Sequence, residues 1–92
     1  MQIQGHTALV TGGGSGLGEA VAHELARQGA RVAVLDVNAA NAEKVASAVG
    51  GLALVADITD TASLSAALDT LDAHFGGPAR MVMNIAGIGT TL

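Results

Sequence analysis

Residues 11–18 read Thr11-Gly12-Gly13-Gly14-Ser15-Gly16-Leu17-Gly18, and this glycine-rich turn is the strongest indication of the fold. The apolar run at residues 7–11 predicts a strand buried on both faces, and apolar residues at helical spacing predict a helix over residues 16–28. A phosphate can approach backbone N–H groups closely where no Cβ blocks it, and a helix N-terminus adds a favourable dipole. The turn therefore predicts a seat for a pyrophosphate between a strand and a helix.

The glycine spacing restricts which kind of nucleotide turn this is. Gly12, Gly16 and Gly18 follow the order Gly-x-x-x-Gly-x-Gly. The order Gly-x-Gly-x-x-Gly does not fit, because Leu17 and Glu19 occupy its third-glycine positions, and the P-loop does not fit, because no Gly-Lys-Ser/Thr follows. A tight turn without any ligand is the alternative. The flanking strand and helix favour the nucleotide.

Strand and helix patterns alternate along the rest of the chain. After the first helix, the predicted elements are a strand over 31–36, a helix over 39–49, a strand over 52–56, a helix that is capped by Thr59 or Asp60 and ends at Phe75, and a strand over 80–84. Strands separated by helices are typical of an α/β parallel sheet with right-handed crossovers. We therefore predict a Rossmann-type doubly wound parallel sheet that is truncated after its fourth strand, with residues 1–92 forming an incomplete part of one domain.

Apolar positions within these elements predict which side chains form the core. The helical stripes comprise Leu17, Ala20, Val21 and Leu25 in the first helix, Ala42, Val45 and Val49 in the second, and Leu64, Ala67, Leu68, Leu71 and Phe75 in the third. Met81 and Met83 alternate along the last strand and are interpreted as core residues.

Composition excludes several classes of protein. The formal net charge is −4 and only four basic residues are present, which argues against a nucleic-acid partner. The chain has no cysteine, and its three histidines lack metal-ligand spacing, so neither a disulfide nor a metal site is expected. No apolar stretch is long enough for a membrane span and no signal peptide is recognised. We expect a cytoplasmic protein that acts on small molecules.

Asp36, at the end of the second predicted strand, is a candidate ribose ligand. It lies roughly 20 residues beyond the turn, where a carboxylate can accept hydrogen bonds from both hydroxyls of an adenosine ribose. A solvated strand-end or helix-capping acid is the alternative. A 2′-phosphate would be repelled by Asp36, and neither Val37, Asn38 nor the turn offers a positive charge. The sequence therefore predicts NAD as the cofactor rather than NADP.

The ends of the third and fourth predicted strands offer further candidates. Asp57 could accept a hydrogen bond from the adenine amino group while Ile58 packs on the ring, or Asp57 could be an N-cap or loop acid. The amide of Asn84 could tie neighbouring strand ends together or contact the ligand. Ala86 and Gly87 keep the last turn thin enough for a ribose or nicotinamide to pass.

These motifs together resemble the cofactor half of the short-chain dehydrogenase/reductase family. The resemblance rests on Thr11-Gly12-x-x-x-Gly16-x-Gly18, Asp36, Asp57-Ile58 and Asn84-Ile85-Ala86-Gly87, and it covers nearly the whole chain. It implies that Ser15 and Leu17 contact the pyrophosphate, that Asn84 braces the sheet, and that the backbone of residues 85–87 lines the nicotinamide ribose. Ile85 replaces the second Asn of the usual Asn-Asn-Ala-Gly. Residues 11–18, 56–60 and 75–77 also resemble the type-2 3-hydroxyacyl-CoA dehydrogenase group within the family.

The resemblance further implies hydride transfer between NAD and an alcohol or ketone substrate in a full-length homo-oligomer. The family's proton relay uses a Tyr, a Lys, a Ser and an Asn, but this sequence has no tyrosine, and its only lysine, Lys44, lies on the second predicted helix. No catalytic residue is therefore assigned, and we expect this chain to be inactive by itself. A non-catalytic dinucleotide-binding module is the alternative function, and a methyltransferase is a more remote one.

Overall fold

The computed structural model describes residues 3–12 and 16–85, so the predictions for Ser15, Ala86 and Gly87 lie outside the described residues. Four strands alternate with three helices, which confirms the predicted order. The elements are β1 (Thr7–Thr11), α1 (Gly16–Arg27), β2 (Arg31–Asp36), α2 (Ala39–Val49), β3 (Leu52–Val55), α3 (Thr61–Phe75) and β4 (Met81–Asn84).

The strands form one parallel sheet in the order β3-β2-β1-β4. The chain moves outward from β1 to β3 and then crosses back to place β4 on the other side of β1. The last residue of β1, Thr11, is therefore flanked by Leu35 of β2 and Asn84 of β4. In open parallel sheets, ligands bind outside the carboxyl ends of the strands where the strand order reverses. The strand order reverses between β1 and β4, so the carboxyl ends of these two strands mark such a point.

Helices cover both faces of the sheet, as the doubly wound prediction requires. Ala8 and Val10 of β1 pack into one apolar cluster with residues of α1 and α2. Leu9 points to the opposite face and packs with Ala67 and Leu71 of α3. Every residue of β1 is buried, because the strand lies between two neighbours and beneath helices on both sides.

Two residues of the predicted inward stripe of α1, Leu17 and Ala20, are wrong, whereas Leu25 is buried and Val21 packs against the core as predicted. The buried residues are Gly18, Ala22 and Leu25, whereas Leu17 is 53% exposed and Ala20 is exposed. Residues 18, 22 and 25 follow helical spacing, so the inward face has the predicted period but includes Gly18 and Ala22 in place of Leu17 and Ala20.

Two predicted core residues near β4 are also more exposed than expected. Met83 is 39% exposed and Leu68 of α3 is 40% exposed, although Met81 packs partly against the cluster beneath α1 and α2. Within the described residues β4 is an edge strand, so its outer half and the adjoining part of α3 have no further element beside them. The alternation of Met81 and Met83 along β4 predicted that both side chains would be buried. Such burial requires a position inside a sheet, with a neighbouring strand on each side.

Candidate nucleotide-binding site

A cleft of about 320 Å³ opens at the carboxyl ends of β1, β2 and β3. Its lining comprises Gly12, Leu35, Asp36, Val37, Ala56, Asp57 and Ile58. Small-molecule pockets span about 300–1,000 Å³, so this cleft has room for one half of a dinucleotide. The structure thus brings together, in one cleft, three of the predicted segments, namely the glycine turn and the acids that follow β2 and β3.

Gly12 forms the floor of the cleft where β1 ends. Its N–H donates a 2.7 Å hydrogen bond to the carbonyl oxygen of Leu35, which extends the ladder between β1 and β2 by one residue. Its φ of 69° then turns the chain away from the sheet in a conformation that favours glycine. This turn at Gly12 ends β1. Because glycine has no Cβ, no side chain narrows the cleft at this point.

Asp36 stands at the carboxyl end of β2 with its side chain partly buried. Its Oδ1 accepts a 2.9 Å hydrogen bond from the N–H of Asn38, and its carbonyl oxygen accepts one of 3.2 Å from the N–H of Ala56. The first contact fixes the carboxylate and the second joins the ends of β2 and β3. The lining of the cleft contains no arginine or lysine in the described part of the chain. The electrostatic setting therefore suits ribose hydroxyls better than a phosphate.

Asp57 follows β3 and is held by Thr59. The Oδ1 atom of Asp57 accepts hydrogen bonds from the Thr59 hydroxyl at 2.6 Å and from the Thr59 N–H at 2.9 Å. The Thr59 hydroxyl makes the larger contribution and the Thr59 N–H the smaller one, and together they hold the pKa of the Asp57 carboxyl below its usual range. The N–H of Asp57 in turn donates to the Ser63 hydroxyl at 3.2 Å, which ties the loop to the first turn of α3.

Neither cleft acid is a helix N-cap, although the sequence left that alternative open. Asn38 caps α2, since its side chain accepts from the N–H of Asn41, and Asp60 caps α3, since its carboxylate accepts from the N–H groups of Ala62 and Ser63. Asp36 is the last residue of β2 and Asp57 follows β3, and each lies before the cap of the next helix. Their carboxylates line the cleft instead of closing a helix.

The lowered pKa of Asp57 predicts a measurable pH dependence. The folded pKa lies below the unfolded value, so the Thr59 hydrogen bonds stabilise the fold above the unfolded pKa and this contribution is lost as pH falls through the folded pKa. We expect Thr59→Val to raise the pKa of Asp57 toward the ordinary value. An NMR titration of the Asp57 carboxyl carbon checks this. Thr70→Val, which removes an exposed hydroxyl on α3, serves as the control. Equal titration midpoints of Asp57 in the wild type and in Thr59→Val would contradict the conclusion that Thr59 lowers the pKa of Asp57.

Asn84 joins the ends of β1 and β4, one of the two roles considered from the sequence. The Thr11 hydroxyl donates a 2.9 Å hydrogen bond to Oδ1 of Asn84 and lies 3.4 Å from the carbonyl oxygen of Met83. Thr11 is buried whereas Asn84 is exposed, so the bond connects the sheet interior to its rim. A contact between Asn84 and a cofactor remains a prediction.

We expect Thr11→Val to lower the free energy of unfolding by about 1 kcal/mol, because the isosteric side chain cannot donate to Asn84. Thr11→Ser retains the hydroxyl and should recover most of this loss. Urea unfolding of the wild type and both variants measures the difference. A valine variant as stable as the wild type would show that the bond between β1 and β4 contributes nothing.

The remaining predicted ligands lie around the first turn of α1 and the end of β4. Gly16 and Leu17 are exposed at the start of α1, whereas Gly18 is buried. The Ile85 side chain is only 6% exposed and packs with the residues beneath α1 and α2. Its N–H donates to the carbonyl oxygen of Thr11 at 3.1 Å. Only the backbone of Ile85 can therefore line a cofactor.

Sequence reasoning missed two residues of this region. Val37 is 72% exposed and lines the cleft beside Asp36, but the sequence indicated only that it carries no charge. Thr59 orients Asp57. The sequence feature that could have identified this role is a hydroxyl residue two positions after an acid that follows a strand.

Two features are absent from residues 3–12 and 16–85. In this part of the chain no group of three or more His, Asp or Glu side chains could hold a metal ion. Over the same residues no helix is both long enough and apolar enough to cross a bilayer.

The chain resembles known proteins over most of its length. The short chain dehydrogenase family model matches residues 6–92. The chain is 40% identical to D-threitol dehydrogenase of Mycolicibacterium smegmatis, covering 95% of this chain and 35% of that protein. It is 38% identical to 3-hydroxyacyl-CoA dehydrogenase type-2 of Drosophila melanogaster, covering 98% and 36%. The chain thus spans about a third of the length of these curated relatives.

A solved structure adds a bound cofactor to this comparison. The 3-ketoacyl-(acyl-carrier-protein) reductase of Brucella melitensis, crystallised with NADH, is 41% identical and superimposes with a TM-score of 0.78. The match covers 80% of this chain and 31% of the reductase. The predicted likeness to the type-2 3-hydroxyacyl-CoA dehydrogenase group is confirmed, and proteins named for other substrates are equally similar.

Proposed function

The chain belongs to the short-chain dehydrogenase family, and we propose that residues 1–92 are the N-terminal, NAD-binding part of a single Rossmann domain whose whole protein transfers hydride between nicotinamide and a secondary alcohol or ketone. The family membership and the NADH-bound neighbour support NAD(H) binding and an oxidoreductase. The observation that carries the proposal for this chain is the cleft with two oriented carboxylates and no cation in its described lining.

The described residues fit the adenosine half of NAD. We assign Asp36 to the two ribose hydroxyls, because its carboxylate is an acceptor held at the end of β2. We assign Asp57 to the adenine amino group and Ile58 to the ring face, with Val37 as the second apolar neighbour. Gly12 allows the pyrophosphate to approach the turn, and the helix dipole at Gly16 favours its charge.

The other assignments follow the family pattern. Ser15, Leu17 and Gly18 would lie along the pyrophosphate, and Asn84 with the backbone of Ile85, Ala86 and Gly87 along the nicotinamide ribose. When bound, NAD supplies the hydride acceptor. The chain's own residues bind and orient it.

Proton transfer is not assigned to this chain. It has no tyrosine, and Lys44 lies exposed on α2 rather than at the cleft. Loss of a positioned general acid or base lowers rates by roughly 10²- to 10⁴-fold. We therefore propose that these residues alone bind NAD without turning over substrate.

The substrate is proposed only as a class. The names of the similar proteins refer to a polyol, a 3-hydroxyacyl-CoA and a 3-ketoacyl carrier protein, which share alcohol or carbonyl chemistry. A 3-hydroxyacyl-CoA is one candidate. We also propose that the whole protein is a homo-oligomer and acts in the cytoplasm, with the absence of cysteine in this chain supporting a reducing compartment.

The test uses the complete gene product. It should bind NADH, seen by calorimetry, and reduce NAD in the presence of a secondary alcohol of one of these classes. Binding without turnover of any alcohol or ketone would favour the alternative, a non-catalytic dinucleotide-binding module. Absence of NADH binding would contradict the proposed function.

A further inference from the structure

The carboxylate of Asp57 is held through one of its two oxygens. A single atom of Asp57, Oδ1, accepts hydrogen bonds from both the N–H and the hydroxyl of Thr59. Among the described residues, nothing donates a hydrogen bond to Oδ2 of Asp57. One oxygen of Asp57 is thus constrained by the loop, and the other stays available to a ligand.

The loop that carries Asp57 is itself fastened to α3. The N–H of Asp57 donates to the Ser63 hydroxyl, and the N–H of Asp60 donates to the carbonyl oxygen of Asp57 at 3.0 Å. These contacts fix the backbone of residue 57, while Thr59 fixes its side chain. An exposed aspartate would otherwise sample several rotamers, and a ligand that binds it would have to order it first.

We propose that Thr59 is a positioning residue for adenine selectivity: by occupying Oδ1 of Asp57 with its hydroxyl and its N–H, it presents Oδ2 to the 6-amino group of the cofactor's adenine. This inference rests on the proposed NAD-binding function and adds to it a residue that need not contact the cofactor. Thr59 acts through Asp57.

The chemistry at position 6 of the purine makes the proposal testable. Adenine places an amino donor there, which suits an ionised carboxylate. Hypoxanthine places a carbonyl oxygen there, which a carboxylate repels. Discrimination between NAD and nicotinamide hypoxanthine dinucleotide therefore reports how well Asp57 is oriented, since the two ligands differ only at this edge of the purine, where N1 also changes from an acceptor to an N–H donor.

The experiment measures Kd for both dinucleotides by calorimetry in the complete gene product and its variants. We expect the wild type to prefer NAD by roughly tenfold or more, and Thr59→Val to reduce this preference at least about threefold, as expected for the loss of a charge-assisted hydrogen bond. Thr59→Ser keeps the hydroxyl and should retain the preference. Thr59→Ala provides a second variant without the hydroxyl.

Asp60→Ala is the structural control. It removes the N-cap of α3 without removing either Thr59 contact to Asp57, so it should lower the thermal midpoint and leave the preference for NAD unchanged. Equal preference in the wild type and both hydroxyl-free variants would overturn the inference, and so would an equal loss in Asp60→Ala. A wild type that binds neither dinucleotide would instead contradict the proposed function.

Discussion

Replacement of Asp36 by Asn is expected to weaken NAD binding about 30-fold, equivalent to about 2 kcal/mol, and to bring the affinity for NADP up to that for NAD. The carboxylate is proposed to accept hydrogen bonds from both ribose hydroxyls, and both weaken when its charge is lost. The same charge opposes a 2′-phosphate, because like charges a few ångströms apart cost about 1–4 kcal/mol near a protein surface. The asparagine oxygen can still accept the Asn38 N–H, so the turn into α2 is kept.

The matched control for Asp36→Asn is Glu43→Gln. Glu43 is exposed on α2, does not line the cleft, and its substitution changes the net charge equally. We expect both affinities to stay at wild-type values in this control. An Asp36→Asn variant that still binds NAD at full strength and still rejects NADP would show that Asp36 is a solvated strand-end acid, the alternative that the sequence left open.

Gly51→Ala should strongly destabilise the fold. Gly51 immediately precedes β3, and an added Cβ would lie 2.2 Å from the carbonyl oxygen of Val32 in β2. The obstacle is backbone of the neighbouring strand, so relief requires β3 to move away from β2. We expect a loss of about 3 kcal/mol or more in the free energy of unfolding, measured in urea, because overpacking of this kind displaces backbone.

Gly77→Ala separates this steric effect from the general effect of adding a methyl group. Apart from its two chain neighbours, no atom of residues 3–12 and 16–85 lies within 4 Å of a Cβ placed at Gly77, and its φ is not in the left-handed region. The substitution should change the free energy of unfolding by less than about 0.5 kcal/mol. Similar stabilities for Gly51→Ala and Gly77→Ala would contradict the close approach of β2 and β3.

The succession of strands and helices could be predicted because its signals are local. The φ of 69° at Gly12, and the left-handed caps at Gly50 and Gly76, fall where the apolar period changes. The inward-facing residues in the first half of α1 could not all be predicted in the same way. Leu17 and Gly18 are adjacent in sequence, and which of them faces the sheet depends on how closely the helix lies to the strands. That distance is set by tertiary packing, as is the exposure of Met83 on an edge strand.

The candidate site was predictable to the extent that parallel strands bring their ends together. Asp36 and Asp57 could be placed at one edge from strand order alone, and the structure places both in the same cleft. Their hydrogen-bond partners could not be predicted, because Asn38, Thr59 and Asp60 all have side chains able to cap a helix or to close a turn. Only the folded loops show that Asn38 and Asp60 act as caps while Thr59 holds Asp57.

The most direct test of the central claim is an NMR titration of the isotopically labelled complete gene product with NAD. The strand-end cleft is expected to bind the adenosine half, so the largest amide shift changes should occur at Gly12, Asp36, Asp57 and Ile58. The cavity at the opposite edge of the sheet, lined by His6, Phe75 and Gly76 among others, provides the internal reference and should not respond. Shift changes concentrated around His6 and Gly76, with the strand-end cleft unaffected, would contradict the assignment of the cleft as the NAD site.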